Sequence, residues 1–215
     1  MICFTDNDVL LKLAAWNLLE EAIAVLETTR EEIYVLRSAR FVIGNDKQGK
    51  FSSKFGKEAV QQTLQFITTV QEITQAADPE EQALLNIVNG IDEGEALLFG
   101  ATKDTEVFIV ATGDKNSLRA LANAPTCSLI YQRMSGRVIC LEQIMARLVP
   151  YVGFDEVRRR VVPLRDCDKS IKSAFGSGLL AEERNVQRSL ASRISELYSE
   201  VGTLLVPDNE WITQS

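Results

Sequence analysis

Residues 2–13 read Ile2-Cys3-Phe4-Thr5-Asp6-Asn7-Asp8-Val9-Leu10-Leu11-Lys12-Leu13. A short apolar run ends abruptly in two carboxylates, Asp6 and Asp8, and a second apolar stretch begins at Val9. Apolar strand, acidic turn and helix, in that order, is how an α/β sheet presents ligand-binding groups at the carboxyl ends of its strands. Carboxylates placed there suit a hard divalent cation. They equally suit the plainer task of capping the next helix.

At 215 residues, with 46% apolar and 25% charged side chains, the chain has the make-up of an ordinary globular protein. That length holds one full domain with an extension, or two small domains. No apolar run reaches the roughly 18 residues that span a bilayer, so no membrane is expected. The N-terminus shows no basic region followed by a long apolar stretch, which predicts no secretory signal. Cys3, Cys127, Cys140 and Cys167 are widely separated and form no C-x-x-C pair. Buried, reduced thiols in a cytoplasmic protein are expected rather than a disulfide or zinc framework.

The chain has no histidine. That excludes Ser-His and Cys-His nucleophilic chemistry and histidine metal sites, and leaves carboxylates, lysines, hydroxyls or a bound ion. Of the 23 basic and 30 acidic residues, 12 and 11 fall in residues 126–215, leaving 11 and 19 in the first 125. The acidic part is therefore the part that opens with Asp6. Nucleic-acid binding by such a chain needs a local basic surface, a metal or a basic partner.

Periodicity predicts one helix over Val9–Leu26, or two with a break near Asn17. Ile33–Leu36 is a strand, Arg37–Ile43 a helical turn, Gly44–Gly56 a loop, and Lys57–Ile73 a helix. Asp78-Pro79-Glu80-Glu81 starts a helix and Asp92 caps another over Glu93–Thr102. Val107–Ala111 is the most strand-like run, followed by Thr112-Gly113-Asp114 and a helix over Ser117–Asn123. Ser128–Tyr131 and Arg137–Leu141 read as short strands, and Leu141–Val149 as a helix. Strands alternating with helices imply a mainly parallel sheet covered on both faces. Beyond residue 150, Arg158-Arg159-Arg160 offers a solvated face or a contact to RNA or a protein. A stripe of Val186, Leu190, Ile194, Leu197 and Val201 packs on the domain or forms a homodimer seam.

If the strands at Ile2 and Val107 are neighbours, Asp6 and Asp114 lie side by side, with the helix start at Asp92–Glu95 facing them. Carboxylates gathered this way raise one another's pKa unless a cation lies between them. Mg²⁺ or Mn²⁺ held by two or three carboxylates and waters is the natural occupant. Such an ion can activate water toward a phosphodiester.

T-D-N-D-V-L-L-K-L resembles the opening D-[TS]-N-V-L-L of PIN-domain proteins, D-E-G-E-A-L-L-F-G-A (92–101) their acid-led helix, and V-F-I-V-A-T-G-D-K (107–115) their strand ending in T-x-D. The resemblance covers roughly residues 1–145. It implies a three-layer α/β/α PIN-like domain over 1–150 with a mainly parallel sheet; residues 151–215 read by their own periodicity as a mostly helical extension. It also implies a metal-dependent ribonuclease of the kind that includes toxins of toxin–antitoxin pairs, with RNA as substrate and an antitoxin as possible partner. Carried over by position, Asp6, Glu95 and Asp114 are the catalytic metal ligands, with Asp92 the alternative to Glu95. Asp8, Thr112 and Asn116 support them, and Arg158, Arg159 and Arg160 are candidate nucleic-acid contacts.

The chain departs from the pattern at three places. Asp8 stands where the family usually has asparagine, Asn116 where many members have a second aspartate, and the expected further glutamate falls near Arg40, with Glu32 and Glu58 as substitutes. A catalytically reduced PIN-like interaction module is therefore one alternative. A haloacid-dehalogenase-like phosphatase using Asp6 and Asp8 is another, although Val9-Leu10 replaces the expected Gly-Thr and Leu118 the late aspartate.

Overall fold

In the computed structural model the N-terminal apolar run forms strand β1 (Ile2–Thr5) and occupies the centre of the sheet. Residues 1–46, 48–74 and 78–207 are described. Lys47, within the expected loop, and residues 208–215, at the end of the expected extension, lie outside them.

β2 (Ile33–Leu36), β3 (Gln71–Ile73), β4 (Phe108–Thr112) and β5 (Val138–Cys140) complete a five-stranded, all-parallel sheet in the order β3-β2-β1-β4-β5. Side chains alternate across it, as a strand's period of two requires. Cys3, Ile33, Val35, Ile109, Ala111 and Ile139 face one core, while Phe4, Phe108, Val110, Val138 and Cys140 face the other. Helices cover both faces, so the fold is a three-layer α/β/α sandwich. All four cysteines are buried free thiols.

The order decides where a ligand can enter. The chain runs from β1 outward through β2 to β3, then crosses to the other side of β1 for β4 and β5. The reversal between β1 and β4 is a topological switch point, where the loops at the strands' carboxyl ends part and leave a crevice. In register, Thr5 lies opposite Ala111, and the Asp6 amide donates to the Ala111 carbonyl at 3.0 Å.

The first helical region is two helices, Asn7–Ala15 and Leu19–Val25, broken at Asn17, whose φ is 53°. Three expectations are corrected. The end of the expected Lys57–Ile73 helix is β3; its polar Gln71-Glu72 tolerates strand geometry because this edge is exposed. Lys50–Phe55 is a helix rather than loop, because Asp46 accepts from the Phe51 and Ser52 amides and Phe55 is buried. Ser128–Met134 is a helix rather than a strand: Ile130 and Met134 bury one face four residues apart while Leu129 stays exposed.

The C-terminal helix Glu183–Val201 passes beyond β5 and serves both cores. Val186 and Leu190 enter the first, and Ile194, Leu197 and Val201 the second. The strand edge is closed behind it, where the Val206 amide donates to the Val138 carbonyl at 2.8 Å. All five stripe residues are buried within the chain, so the stripe is no homodimer seam. Among the described residues no helix is long and apolar enough to cross a membrane. Leu190→Ala therefore lowers unfolding free energy by about 2–5 kcal/mol in urea titration, without changing the elution volume on gel filtration. A dimer-to-monomer shift with intact stability would restore the seam.

Candidate functional site

A cleft of about 680 Å³ opens at the carboxyl ends of β1 and β4. Asp6, Asp8, Asp92, Glu95 and Asp114 all line it. Each of its three walls begins a helix. Asp6 caps Asn7–Ala15, its carboxylate accepting from the Asp8 amide at 3.2 Å. Asp114 caps Lys115–Ala122, accepting from the Asn116 and Ser117 amides at 2.7 and 3.1 Å. Asp92 and Glu95 form a reciprocal capping box on Glu93–Gly100, each accepting the other's amide at 2.8 Å. The capping and ligand readings of these acids therefore describe the same side chains. Capping turns their carboxylates toward one opening and directs three helix N-termini, with their partial positive charge, at it.

The acids remain strained for charge. Burial and the nearby Asp8 raise the Asp6 pKa to about 6, against hydrogen bonds from the Asp8 and Gly113 amides and the charge of Lys12. Burial, Asp114 and Asp92 raise Glu95 to about 8, although the Asp92 amide and Ser117 hydroxyl oppose it. The helix N-termini, worth about 0.3–1 kcal/mol each, are outweighed by burial and mutual repulsion. Both groups are ones that a cation would stabilise.

Asp8 is different. Its two oxygens face Lys12 and, at 3.5 Å, Lys54. Lys12 is buried and also donates to Asp168 at 2.7 Å. Burial depresses the Lys12 pKa, but the charges of Asp8 and Asp168 outweigh it and the net shift is upward. Asp168 itself is held low, because the Lys12 charge and the Ile171 and Ser170 amides overcome burial. Next to this pair, the Lys115 ammonium meets buried Glu142 and donates to the Ser170 hydroxyl at 2.9 Å. Sequence reasoning missed Lys12, Asp168, Lys115, Glu142 and Ser170 as site supports. The one legible signal was a lysine inside the apolar run Leu10-Leu11-Lys12-Leu13.

Gly113 has a steric role in this arrangement. A Cβ there would come within 2.8 Å of Asp8 Oδ2 and 3.4 Å of Lys12 Nζ. Thr112 is buried, and its hydroxyl accepts from the Asp114 amide at 3.1 Å, which sets the turn. Asn116 points elsewhere: its side chain accepts from Arg119 at 3.3 Å and does not line the cleft.

The arginine cluster does not reach the cleft. Arg158 pairs with Asp155, Arg159 with Glu156, and Arg160 with Glu156 and Glu21. Arg160 also donates to the Asn17 carbonyl at 2.7 Å. Asn17 lies past the far end of a helix that starts at Asp6, about 13 Å away. The cluster is thus neutralised near the far end of that helix, away from the cleft. Among the described residues, the segment at and after the end of β2 lines the cleft with Leu36, Ser38 and Val42, none of them acidic. Glu32 is bound to the N-terminal ammonium.

Among the described residues no three acidic or thiol side chains group closely enough to hold one ion jointly. A divalent ion here would rest on one or two carboxylates and keep its waters, which is the usual habit of Mg²⁺. No protein-family model, curated protein or solved structure matches the chain.

Two outcomes follow. Lys12→Met strands Asp8 and Asp168 without their cation and lowers stability by about 3 kcal/mol or more, measured by chemical denaturation. In metal-free protein, Glu95 and Asp6 hold their protons to higher pH when folded than when unfolded, so their upward shifts favour folding at low pH. Their contribution is lost as pH rises from about 4.5 toward 8. The thermal midpoint accordingly falls across that window in wild type, and Glu95→Gln flattens the fall.

Proposed function

We propose that the protein is a divalent-metal-dependent ribonuclease acting at the switch-point cleft. The observation that supports this is the convergence of Asp6, Glu95 and Asp114 on one opening at the carboxyl ends of β1 and β4. The expectation from the PIN-domain resemblance concerns the same three residues.

Asp6 and Glu95 are the residues to hold Mg²⁺ or Mn²⁺, because burial and neighbouring acids leave both short of positive charge. When bound, the ion supplies a Lewis acid that lowers the pKa of a water and offsets charge on the phosphodiester. Asp114, fixed by the Asn116 and Ser117 amides, would accept a hydrogen bond from a water brought into the cleft. The amino-terminal turns of the three helices face the phosphate and favour its charge. The carboxylates of the cleft oppose the RNA phosphates, so metal loading would raise the affinity for RNA.

The phosphatase alternative requires Asp8 as a general acid free to give and take a proton. Lys12 and Lys54 engage both of its oxygens, which favours the nuclease. Location in the cytoplasm and an antitoxin partner belong to the same proposal.

Purified protein with Mn²⁺ is expected to cleave a single-stranded RNA. Asp6→Asn, Glu95→Gln and Asp114→Asn should each lower the rate by about a hundredfold or more. Asp8→Asn should keep metal-dependent cleavage. Full activity in both Asp6→Asn and Asp114→Asn would sink the proposal. Phosphate-ester turnover abolished by Asp8→Asn would favour the phosphatase.

A further inference from the structure

The wall after β2 carries cations where the resembled family carries an acid. Residues 37–45 form a turn and the short helix Ala39–Gly44, with two distinct stripes. Ser38 and Val42, four apart, line the acidic cleft. Arg37, Arg40, Phe41 and Gly44, spaced as one helical face, line an adjoining open hollow of about 650 Å³ with Asn45 and Glu72. The two concavities share this one segment as their partition.

We infer that this hollow is a nucleotide subsite, in which Phe41 stacks on an unpaired base of RNA while Arg37 and Arg40 hold the flanking phosphates. Phe41 is 73% exposed and lines the hollow beside Arg37 and Arg40. Its flat face is suited to a base, since every base has a π-face. Arg37 and Arg40 are exposed and form no ion pair with any described residue, unlike Arg158–Arg160. Two unneutralised guanidiniums beside a cleft of carboxylates provide the local basic surface that a polyanion needs on an acidic protein. Glu72 leaves the hollow with a net positive balance. As an acceptor-only group, it favours a base bearing an exocyclic amino group over uracil.

The dimensions favour a nucleotide over a protein partner. Phe41 and the 44% exposed Val42 are the only large exposed apolar side chains of the segment. That area is far below the roughly 1,000 Å² of a stable protein interface, while the hollow falls in the range of small-ligand sites. With a helix only about 10–12 Å across, a base on Phe41 belongs to a nucleotide next to a phosphate in the cleft. The placement of that phosphate rests on the ribonuclease reading; the stacking subsite does not.

Fluorescence anisotropy of a labelled single-stranded oligoribonucleotide, in EDTA and again in calcium, reads binding apart from Mg²⁺- or Mn²⁺-supported cleavage. Phe41→Ala and Phe41→Leu should each weaken binding about tenfold, whereas Phe41→Trp should retain it. Arg37→Ala/Arg40→Ala should weaken it and reduce the dependence on salt by about two counterions. A poly-adenylate strand should bind more tightly than poly-uridylate, and Glu72→Gln should narrow the difference. Unchanged affinity in Phe41→Ala, wild-type affinity in Phe41→Leu, or no RNA binding by wild type would overturn the subsite. So would preferential capture of a polyglutamate peptide through Arg37 and Arg40, which would indicate a protein partner. RNA binding that depends on Phe41 in a protein that never cleaves would sink the nuclease and keep the subsite. Cleavage lost in Asp6→Asn with RNA affinity untouched in Phe41→Ala would do the reverse.

Discussion

One buried ammonium organises the carboxyl edge of the sheet. Lys12 lies on the inner face of the first helix, with only 6% of its side chain exposed, and a charge so placed must be paired. It takes Asp8 from its own helix and Asp168 from a segment 156 residues later. Asp8 is thereby withdrawn from chemistry, and much of the cation's charge is spent on its two partners. Asp6, half-buried at the head of the same helix and beside the Asp8 carboxylate, has its pKa moved upward despite a lysine nearby. The backbone at Gly113 can come close enough to close this arrangement because it carries no Cβ.

The strands were legible where burial on both faces imposed a continuous apolar run, as at Ile2–Phe4 and Val107–Ala111. β3 was not, because Gln71-Glu72-Ile73 is an exposed edge whose strand character comes from pairing with β2, not from its own side chains. Ser128–Tyr131 failed for the converse reason: a four-residue apolar run is ambiguous, and only the burial of Ile130 with Met134 selects the helix. Asp6 and Asp114 were readable as acids that cap a helix directly after a strand, and Asp92 and Glu95 as acids at a helix start. Lys12–Asp168 and Lys115–Glu142 were not, since pairing across such separations leaves no mark in sequence spacing.

The cleft and its surroundings have opposed charge. Carboxylates occupy the floor, helix N-termini stand behind them, and Arg37 and Arg40 lie over the rim. Away from the cleft, the arginine triplet is neutralised by Glu156, Asp155 and Glu21. The arginine triplet therefore matches the solvated, ion-paired face that was one reading of its sequence. Asp155 and Glu156 stand one helical turn from the triplet and are legible in the sequence, whereas the pairing of Arg160 with Glu21 appears only in the fold.

The strand order also has a consequence in time. β1 is made well before its neighbour β4, so Ile2 waits for Phe108. Asp168, the second partner of Lys12, comes later still. Closing such distant contacts is slow, and the nascent N-terminal segment is an apolar strand with no partner on one side. The acidic cleft cannot take shape while the chain is short. Synthesis thus provides its own delay: a chain interrupted before the third helix cap lacks one wall of the cleft, and one interrupted before residue 168 keeps a lysine whose charge is only partly met. The edge is complete only once residue 168 has been made, so the finished cleft is withheld from shorter chains.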